Sequence, residues 1–256
     1  MTDAPERPLG PYVDRVALPG EPDVVPVAAV LCDLDDTLFP QADWLDGAWG
    51  AVAEAAAGRG VEPVRFRQAL HDAAAAGSAR GGIIDRALAA VHSRPPVAGL
   101  IDELVEVFRT YRAPRLEPYP GAVQALAALR ERVPVAVITD GDPRVQEGKL
   151  ASLGLLAAFD CVVISDRFGR EFRKPHPKPF HFALDALGVD PRFAVCVGDR
   201  PDKDVAGASA LGIRAVRVHT GEYAEAPDTI APWFSTPGFA EAARLLLRAP
   251  QPRPGH

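Results

Sequence analysis

Cysteine is scarce in this chain, which has three cysteines among 256 residues. Cys32, Cys161 and Cys196 are widely spaced and form no CxxC pair, so the sequence indicates neither a disulfide framework nor a cysteine zinc site. Each of them lies in an apolar run, which is typical of a small buried hydrophobic side chain. With 48% hydrophobic and 24% charged residues, the chain has the composition of a globular protein that buries its own core.

Long apolar runs and an excess of basic residues are also missing. No apolar run reaches the roughly 18 residues that a membrane helix needs, and the amino end lacks a basic region followed by an apolar one. We therefore expect a cytoplasmic protein without a membrane partner. The formal net charge of -6 and the pI near 5.5 argue against nucleic acid as a partner, because binding its phosphate backbone needs a basic surface.

Proline is unevenly placed along the chain. Of the 26 prolines, six lie within residues 1–26 and three more stand in the last stretch, so we interpret residues 1–26 and 249–256 as mobile tails. The folded body is then expected to span residues 27–248. Its length corresponds to one or two domains.

Five continuous apolar runs predict strands that are buried on both faces of a parallel sheet, because they lack a period-two alternation. These runs cover residues 27–33, 133–139, 161–165, 194–198 and 215–218. From residue 121 onward the runs alternate with helical patterns, which lie near 121–132, 143–153, 177–187 and 239–247. This alternation predicts an α/β fold with a Rossmann-like parallel sheet core and helices on both faces.

A second region interrupts this pattern after the first strand. Residues 40–118 contain no convincing buried strand but several amphipathic helical patterns, near 44–57, 63–76, 83–92 and 97–111. We interpret this region as a small all-helical cap inserted into the chain. The core domain is then made of residues 27–39 and 119–248.

Charged and hydroxyl side chains stand at the predicted carboxyl ends of the strands, where open α/β sheets bind their ligands. They are Asp33, Asp35, Asp36 and Thr37 after the first strand, Thr139, Asp140 and Gly141 after the second, Lys174 after the third, and Asp199 with Asp204 after the fourth. Carboxylates so close together repel one another unless a cation neutralises them. Oxygen ligands without histidine or cysteine point to Mg²⁺, which commonly shares its ligand shell with a substrate phosphate.

These residues carry a resemblance to a known family. Asp33-Leu34-Asp35-Asp36-Thr37 resembles the first motif, DxDxT, of the haloacid dehalogenase superfamily of hydrolases. Three further segments resemble the second, third and fourth motifs in the family's order: 137–141, 174–177 and 198–204. A helical insert between the first two motifs resembles the type 1 cap of the phosphatase-rich subgroup. The dehalogenases of that subgroup lack an acid two residues after the nucleophile, where this chain has Asp35.

The resemblance implies a Mg²⁺-dependent phosphatase that acts on a small phosphorylated metabolite. Asp33 is then the nucleophile that forms an aspartyl-phosphate. Asp35 protonates the leaving oxygen and afterwards takes a proton from the water that hydrolyses the intermediate. Two alternatives stay open: a phosphomutase of the same fold, and a non-catalytic protein that binds a phosphorylated ligand.

The resemblance also assigns the groups that hold the phosphate and the metal ion. The phosphoryl oxygens are expected to contact Thr139, Asp140, Gly141 and Lys174. For Asp140 a contribution to turn geometry alone is the other interpretation. The expected ligands of Mg²⁺ are Asp33, the backbone carbonyl of Asp35 and Asp199, with Asp204 acting indirectly or through water.

The remaining polar residues receive simpler interpretations. Asp36 is expected to cap a helix or turn, and Thr37 to order the loop by hydrogen bonding. The glycine-rich loop 77–82 is a candidate contact between cap and substrate through Arg80, although a plain turn between helices also fits it. The insert contains no lysine, because the four lysines are Lys149, Lys174, Lys178 and Lys203. A Schiff-base mechanism that uses a cap lysine is therefore disfavoured.

Overall fold

A computed structural model of the chain describes residues 26–77, 81–91 and 98–249. Within these residues six strands form one parallel sheet, in the order β3-β2-β1-β4-β5-β6. The strands are β1 Ala29–Cys32, β2 Val135–Thr139, β3 Cys161–Ile164, β4 Ala194–Gly198, β5 Arg214–Val218 and β6 Phe234–Thr236. The predicted parallel sheet is confirmed, and β6 is an addition that the sequence pattern did not predict.

Nine α-helices lie in the described part of the chain. They are α1 Gln41–Ala57, α2 Pro63–Ala75, α3 Ile83–Val91, α4 Leu100–Thr110, α5 Ala122–Arg130, α6 Pro143–Ser152, α7 Pro177–Leu187, α8 Ala206–Ser209 and α9 Phe239–Leu246. A short π-helical turn, Pro201–Val205, leads into α8. None of these helices is long and apolar enough to cross a membrane.

The sheet is covered on both faces because successive side chains of a strand point to opposite sides. On β1, Val30 belongs to a core cluster that includes Leu126 of α5 and Phe239 of α9. Its neighbour Leu31 belongs to a second cluster that includes Phe180 of α7. The residues of β1 are all buried, so this strand is a continuous apolar run and not an alternating one.

Helices α1 to α4 lie between β1 and β2, where the sequence predicts four helices. They share a hydrophobic cluster of their own, which includes Trp49 of α1, Phe66 of α2, Leu88 of α3 and Leu104 of α4. Trp44, one turn earlier on α1, belongs instead to the core cluster of the sheet. Helix α1 is therefore packed into both clusters.

The first helix begins at Gln41, three residues earlier than its pattern predicts, and Asp36 accepts a hydrogen bond from its first residue. The Asp36 carboxylate accepts the backbone N–H of Gln41, the first residue of α1, at 2.8 Å, and that of Glu222 at 3.1 Å. Its backbone is left-handed, with φ 57°, a conformation that aspartate tolerates better than most residues. The predicted capping role of Asp36 is confirmed.

Three sequence-based expectations fall outside the described residues. These are nearly all of the tail 1–26, nearly all of the tail 249–256, and the suggested contact through Arg80. The division into a core and a cap at residues 40 and 118 stays a prediction.

Candidate active site

The carboxyl ends of two neighbouring strands, β1 and β4, bring the acidic residues together. Asp33 follows β1, and Asp199 follows β4, which pairs with β1. Asp204 comes from the π-helical turn after β4. One carboxylate oxygen of each of these three residues lies within 4.8 Å of the others, and all three residues are buried. Parallel pairing at the centre of the sheet thus produces the carboxylate cluster.

Lys174 is the cation at the centre of this cluster. Its Nζ donates to Asp33 Oδ1 at 2.5 Å, to Asp204 Oδ1 at 2.6 Å and to the Ile138 carbonyl at 2.9 Å. Burial alone lowers the pKa of Lys174, but Asp204 and Asp33 raise it well above its ordinary value. The lysine is therefore held as a charged group in a site from which water is largely excluded.

One lysine does not neutralise three buried carboxylates. Burial raises the pKa of Asp33 to about 7, although the charge of Lys174 opposes this. Burial, reinforced by Asp33 and Asp204, raises the pKa of Asp199 to about 10. A site that disfavours its own ionised carboxylates, and offers only oxygen ligands, is suited to a divalent cation of the Mg²⁺ or Ca²⁺ type. The residues present therefore fit a metal ion.

Thr37 supports the same cluster from within the first motif. Its Oγ1 donates to Asp33 Oδ2 at 3.3 Å and lies 3.5 Å from Asp199 Oδ1. Both oxygens of Asp33 thus have a donor, since Lys174 occupies Oδ1. This arrangement agrees with the expectation that Thr37 orders the loop.

Asp35 has two partners that the sequence interpretation missed. Lys149 Nζ lies 2.6 Å from Asp35 Oδ1, and Gln146 Nε2 lies 2.8 Å from Oδ2. Both partners are on α6, and both are buried. The sequence offered one signal for these partners: Gln146 and Lys149 are three residues apart and therefore lie on one helix face. That spacing does not indicate which loop the face contacts.

Side chains of the second motif, residues 137–141, form hydrogen bonds and an ion pair with neighbouring elements. Thr139 is fully buried, and Gln146 Nε2 contacts its Oγ1. The Asp140 carboxylate accepts from Ser165 Oγ at 2.7 Å and from the Lys174 backbone N–H at 3.1 Å. The same carboxylate lies 2.9 Å from the Nζ of Lys203. The structure thus uses the Asp140 side chain to hold the loop that carries Lys174.

Gly141 has a backbone conformation that few other residues adopt. Its φ is 131°, and the Gly141 N–H donates to Asp166 Oδ1 at 3.3 Å. A Cβ at this position would lie 3.4 Å from the side chain of Gln146, about an ordinary contact distance, so the backbone strain at this φ is what disfavours a larger residue. Glycine is required for this turn.

A cavity of about 590 Å³ opens above the carboxylate cluster, between the sheet edge and α1, α3 and α4. Its floor contains Asp33, Asp35, Lys174 and Asp199. Its opposite wall is mainly apolar and comes from the helices between β1 and β2: Trp44, Leu45, Trp49, Ile83, Ile84, Val105 and Phe108. The volume is that of a typical small-molecule site.

Four arginines also line this cavity, and they differ in their partners. Arg109, Arg173 and Arg200 are paired with Asp142, Asp166 and Asp202. Within the described part of the chain, Arg170 has no carboxylate partner. Its guanidinium lies 3.9 Å from the point where a Cβ of Gly81 would stand, so it is close to the loop before α3.

Comparison with known proteins agrees with this geometry. A family model described as haloacid dehalogenase-like hydrolase matches residues 27–212. The chain is 34% identical over 203 residues to a glyceraldehyde 3-phosphate phosphatase of Methanopyrus kandleri, a match that covers 77% of this chain and 86% of that protein. It is 44% identical over 128 residues to a phosphoserine phosphatase of Thermus thermophilus, with 49% of this chain and 50% of the relative covered.

The fold is also found in solved structures. A 2-haloacid dehalogenase from Pseudomonas syringae aligns with a TM-score of 0.62 and 26% sequence identity. The alignment covers 87% of this chain and 99% of the dehalogenase. The similarity therefore extends over most of the chain.

Proposed function

The chain belongs to the haloacid dehalogenase-like hydrolases, and we propose that it removes phosphate from a small metabolite through an aspartyl-phosphate on Asp33, with the help of Mg²⁺. The observation that carries this proposal is the buried cluster of Asp33, Asp199 and Asp204 around Lys174, with the Asp35 carboxylate on the floor of the same cavity. Relatives named as phosphatases support the reaction class. An acid two residues after Asp33 favours phosphate transfer over dehalogenation.

The first step transfers the phosphoryl group to Asp33. An oxygen of the Asp33 carboxylate forms a bond to phosphorus while the bond from phosphorus to the leaving oxygen breaks. Lys174 and Thr37 hold the two oxygens of this carboxylate and thereby orient it before the substrate arrives. Such positioning in a site with little water lowers the barrier because less reorganisation is needed during the reaction.

Asp35 moves the protons in both steps. It gives its proton to the leaving oxygen as that oxygen departs, and then accepts a proton from the water that attacks phosphorus in the aspartyl-phosphate. Phosphate leaves, Asp33 is regenerated and Asp35 is again protonated. The position of Asp35 on the cavity floor supports this role.

The metal ion would be held by Asp33, the backbone carbonyl of Asp35 and Asp199, with Asp204 as an indirect partner. When bound, it supplies positive charge that offsets the repulsion between the Asp33 carboxylate and the substrate phosphate. The Lys174 ammonium, which remains in the cluster, is suited to the phosphoryl oxygens, where charge is spread in the transition state. The Gly141 turn allows the chain to approach the phosphoryl group closely.

The cavity limits what the rest of the substrate can be. The apolar wall contributed by α1, α3 and α4 faces the cluster, so the leaving group would lie against these helices. Arg170 is the arginine of that lining without a carboxylate partner in the described residues. We infer a small phosphorylated metabolite whose leaving group bears a second anionic or strongly polar group.

The test is hydrolysis of p-nitrophenyl phosphate and of a phosphometabolite panel that includes glyceraldehyde 3-phosphate and O-phosphoserine. The unsubstituted chain is assayed with Mg²⁺ and with EDTA, beside Asp33→Asn and the control Asp185→Asn, whose carboxyl group is exposed on α7. We expect turnover that EDTA abolishes. Asp33→Asn should lose at least about 10³-fold in kcat, as expected for a lost nucleophile, while Asp185→Asn should keep its activity.

The covalent step has its own measurement. Protein quenched in acid during turnover should carry one phosphoryl group on the peptide that contains Asp33, detected by mass spectrometry. Turnover that persists in EDTA or in Asp33→Asn would contradict the proposal. Isomerisation of a sugar phosphate without release of phosphate would favour the phosphomutase instead.

A further inference from the structure

The Asp35 carboxylate has one donor on each of its two oxygens, and both donors come from one face of α6. Lys149 Nζ lies 2.6 Å from Oδ1, and Gln146 Nε2 lies 2.8 Å from Oδ2. Only 3% of Lys149 and 1% of Gln146 is exposed. A carboxylate that is held at both oxygens by buried donors has a fixed plane and a fixed direction.

The two donors are themselves restrained by neighbouring elements. Lys149 Nζ lies 4.7 Å from the centroid of the Trp44 ring on α1, an arrangement that favours a cation over an aromatic face. Gln146 Nε2 also contacts the Thr139 hydroxyl at the end of β2. The two donors that hold Asp35 therefore contact other parts of the fold: Gln146 contacts the sheet, and Lys149 contacts the helices between β1 and β2.

We propose that Lys149 and Gln146 are positioning residues for the proton transfers of Asp35. They hold its carboxyl group in the direction in which it meets the leaving oxygen and, later, the attacking water. Both donors keep their own protons throughout, because Asp35 gives one proton to the leaving oxygen and takes one from water. The inference rests on the proposed function, since it takes Asp35 as the acid and base.

The experiment compares substrates that differ in their need for an acid. Departure of p-nitrophenolate needs little protonation, whereas an alkoxide leaving group depends on it. The two substrates are p-nitrophenyl phosphate and the alkyl phosphate hydrolysed fastest in the panel above. Lys149→Met and Gln146→Met are made alone and together with Asp35→Asn, and kcat/KM is measured because it reports the steps up to formation of the aspartyl-phosphate.

We expect Lys149→Met to lower kcat/KM for the alkyl phosphate by about 10²-fold, which is the effect of a misdirected catalytic group. The kcat/KM for p-nitrophenyl phosphate should fall far less. Gln146→Met should show the same selectivity with a smaller loss, because it removes a neutral donor. In the Asp35→Asn background neither substitution should cause a further loss. The matched control is Lys178→Met, which removes an exposed lysine on α7 that contacts Phe172 and should leave both substrates unaffected.

Several results would overturn this assignment. Equal losses for both substrates indicate a structural role, and a further loss in the Asp35→Asn background indicates direct contact between Lys149 and the substrate. Circular dichroism and Tm verify the fold of each variant, and Gln146→Met keeps the test decisive if Lys149→Met does not fold. An unsubstituted chain that hydrolyses neither substrate refutes the proposed function and this assignment together. Normal turnover without the selectivity refutes this assignment alone.

Discussion

Arg170 differs from the other arginines of the cavity because none of the carboxylates of the described residues pairs with its guanidinium. The guanidinium groups of Arg109, Arg173 and Arg200 each already face a carboxylate, so an incoming anion would have to compete with that partner. Arg170 has no such competitor among the described residues. A planar guanidinium of this kind favours carboxylate or phosphate groups, which it binds through two parallel hydrogen bonds.

Arg170→Gln should therefore weaken binding of substrates with a second anionic group. We expect KM for such a phosphometabolite to rise about 10-fold, the size of one hydrogen bond to a charged group, with kcat little changed. The KM for p-nitrophenyl phosphate, which lacks a second anion, serves as the control and should stay the same. A parallel rise for both substrates would mean that Arg170 acts on the phosphoryl group or on the fold.

At the scale of single elements, α1 contains two glycines with different surroundings. A Cβ on Gly50 would meet nothing nearer than the guanidinium carbon of Arg67, at 3.9 Å. A Cβ on Gly47 would overlap the Tyr111 hydroxyl and lie 2.8 Å from its ring carbon Cζ. Glycine at position 47 has a low helix propensity, but its lack of a side chain leaves room for Tyr111, at the end of α4, to pack against α1.

These two positions form a matched pair for measurement. Gly50→Ala should raise the free energy of unfolding by about 0.5–1 kcal/mol, because alanine loses less backbone entropy in a helix. Gly47→Ala should lower it, because the gain in propensity is exceeded by the overlap with Tyr111. Urea unfolding of both variants gives the comparison, and stabilisation by Gly47→Ala would contradict it.

The start of β2 depends on an ionised carboxylate. Asp160 accepts the backbone N–H of Val135 at 2.9 Å and the Nε and Nη2 groups of Arg130 at 3.1 and 3.0 Å. The hydrogen bond from Arg130, assisted by Val135, lowers the pKa of Asp160 below its ordinary value of 3.8. Its stabilising contribution is therefore present above that value and is lost as the pH falls through the lowered pKa.

Asp160→Asn should accordingly destabilise the chain in a pH-dependent manner. We expect a loss of about 1 kcal/mol at pH 7, which diminishes as the pH falls below 3.8 and through the lowered pKa of the wild-type carboxyl group. Urea unfolding between pH 7 and pH 3 measures the difference. A loss that does not change over this range would show that the charge of Asp160 has no part in holding the strand.

For the whole molecule, the sequence predicts most of the fold and less of the site. Continuous apolar runs and helical periodicity indicate five strands and the longer helices, whereas the three residues of β6 are too few to show a pattern. The contacts of Asp35 with Gln146 and Lys149 join residues 111 and 114 positions apart. Such contacts depend on how β1 and α6 are packed together, which periodicity within one element does not reveal.

Binding of a metal ion should stabilise the whole chain, because only the folded state brings Asp33 and Asp199 together. Burial raises the pKa of these groups to about 7 and about 10, so their contribution to the metal-free fold declines as the pH rises through those values. A cation must displace their protons and therefore binds more tightly at higher pH.

We expect Mg²⁺ to raise the Tm of EDTA-treated protein more at pH 8 than at pH 6. Thermal unfolding followed by circular dichroism at both pH values is the measurement. Asp199→Asn should remove most of the Mg²⁺ effect, and Asp185→Asn should retain it. A larger shift at pH 6 would contradict the assignment of these carboxylates as ligands.

The central place of β1 in the sheet also has a consequence for biosynthesis. Ribosomes make β1 first, yet its partner β2 begins at Val135 and its other partner β4 begins at Ala194. Until β2 has emerged, the apolar strand that precedes Asp33 has no strand to pair with, and until β4 has emerged one of its edges stays unpaired and open to chaperones and aggregation. A nascent chain stalled before β4 therefore contains Asp33, the proposed nucleophile, but lacks Asp199 and Asp204. We therefore expect activity to arise late in translation.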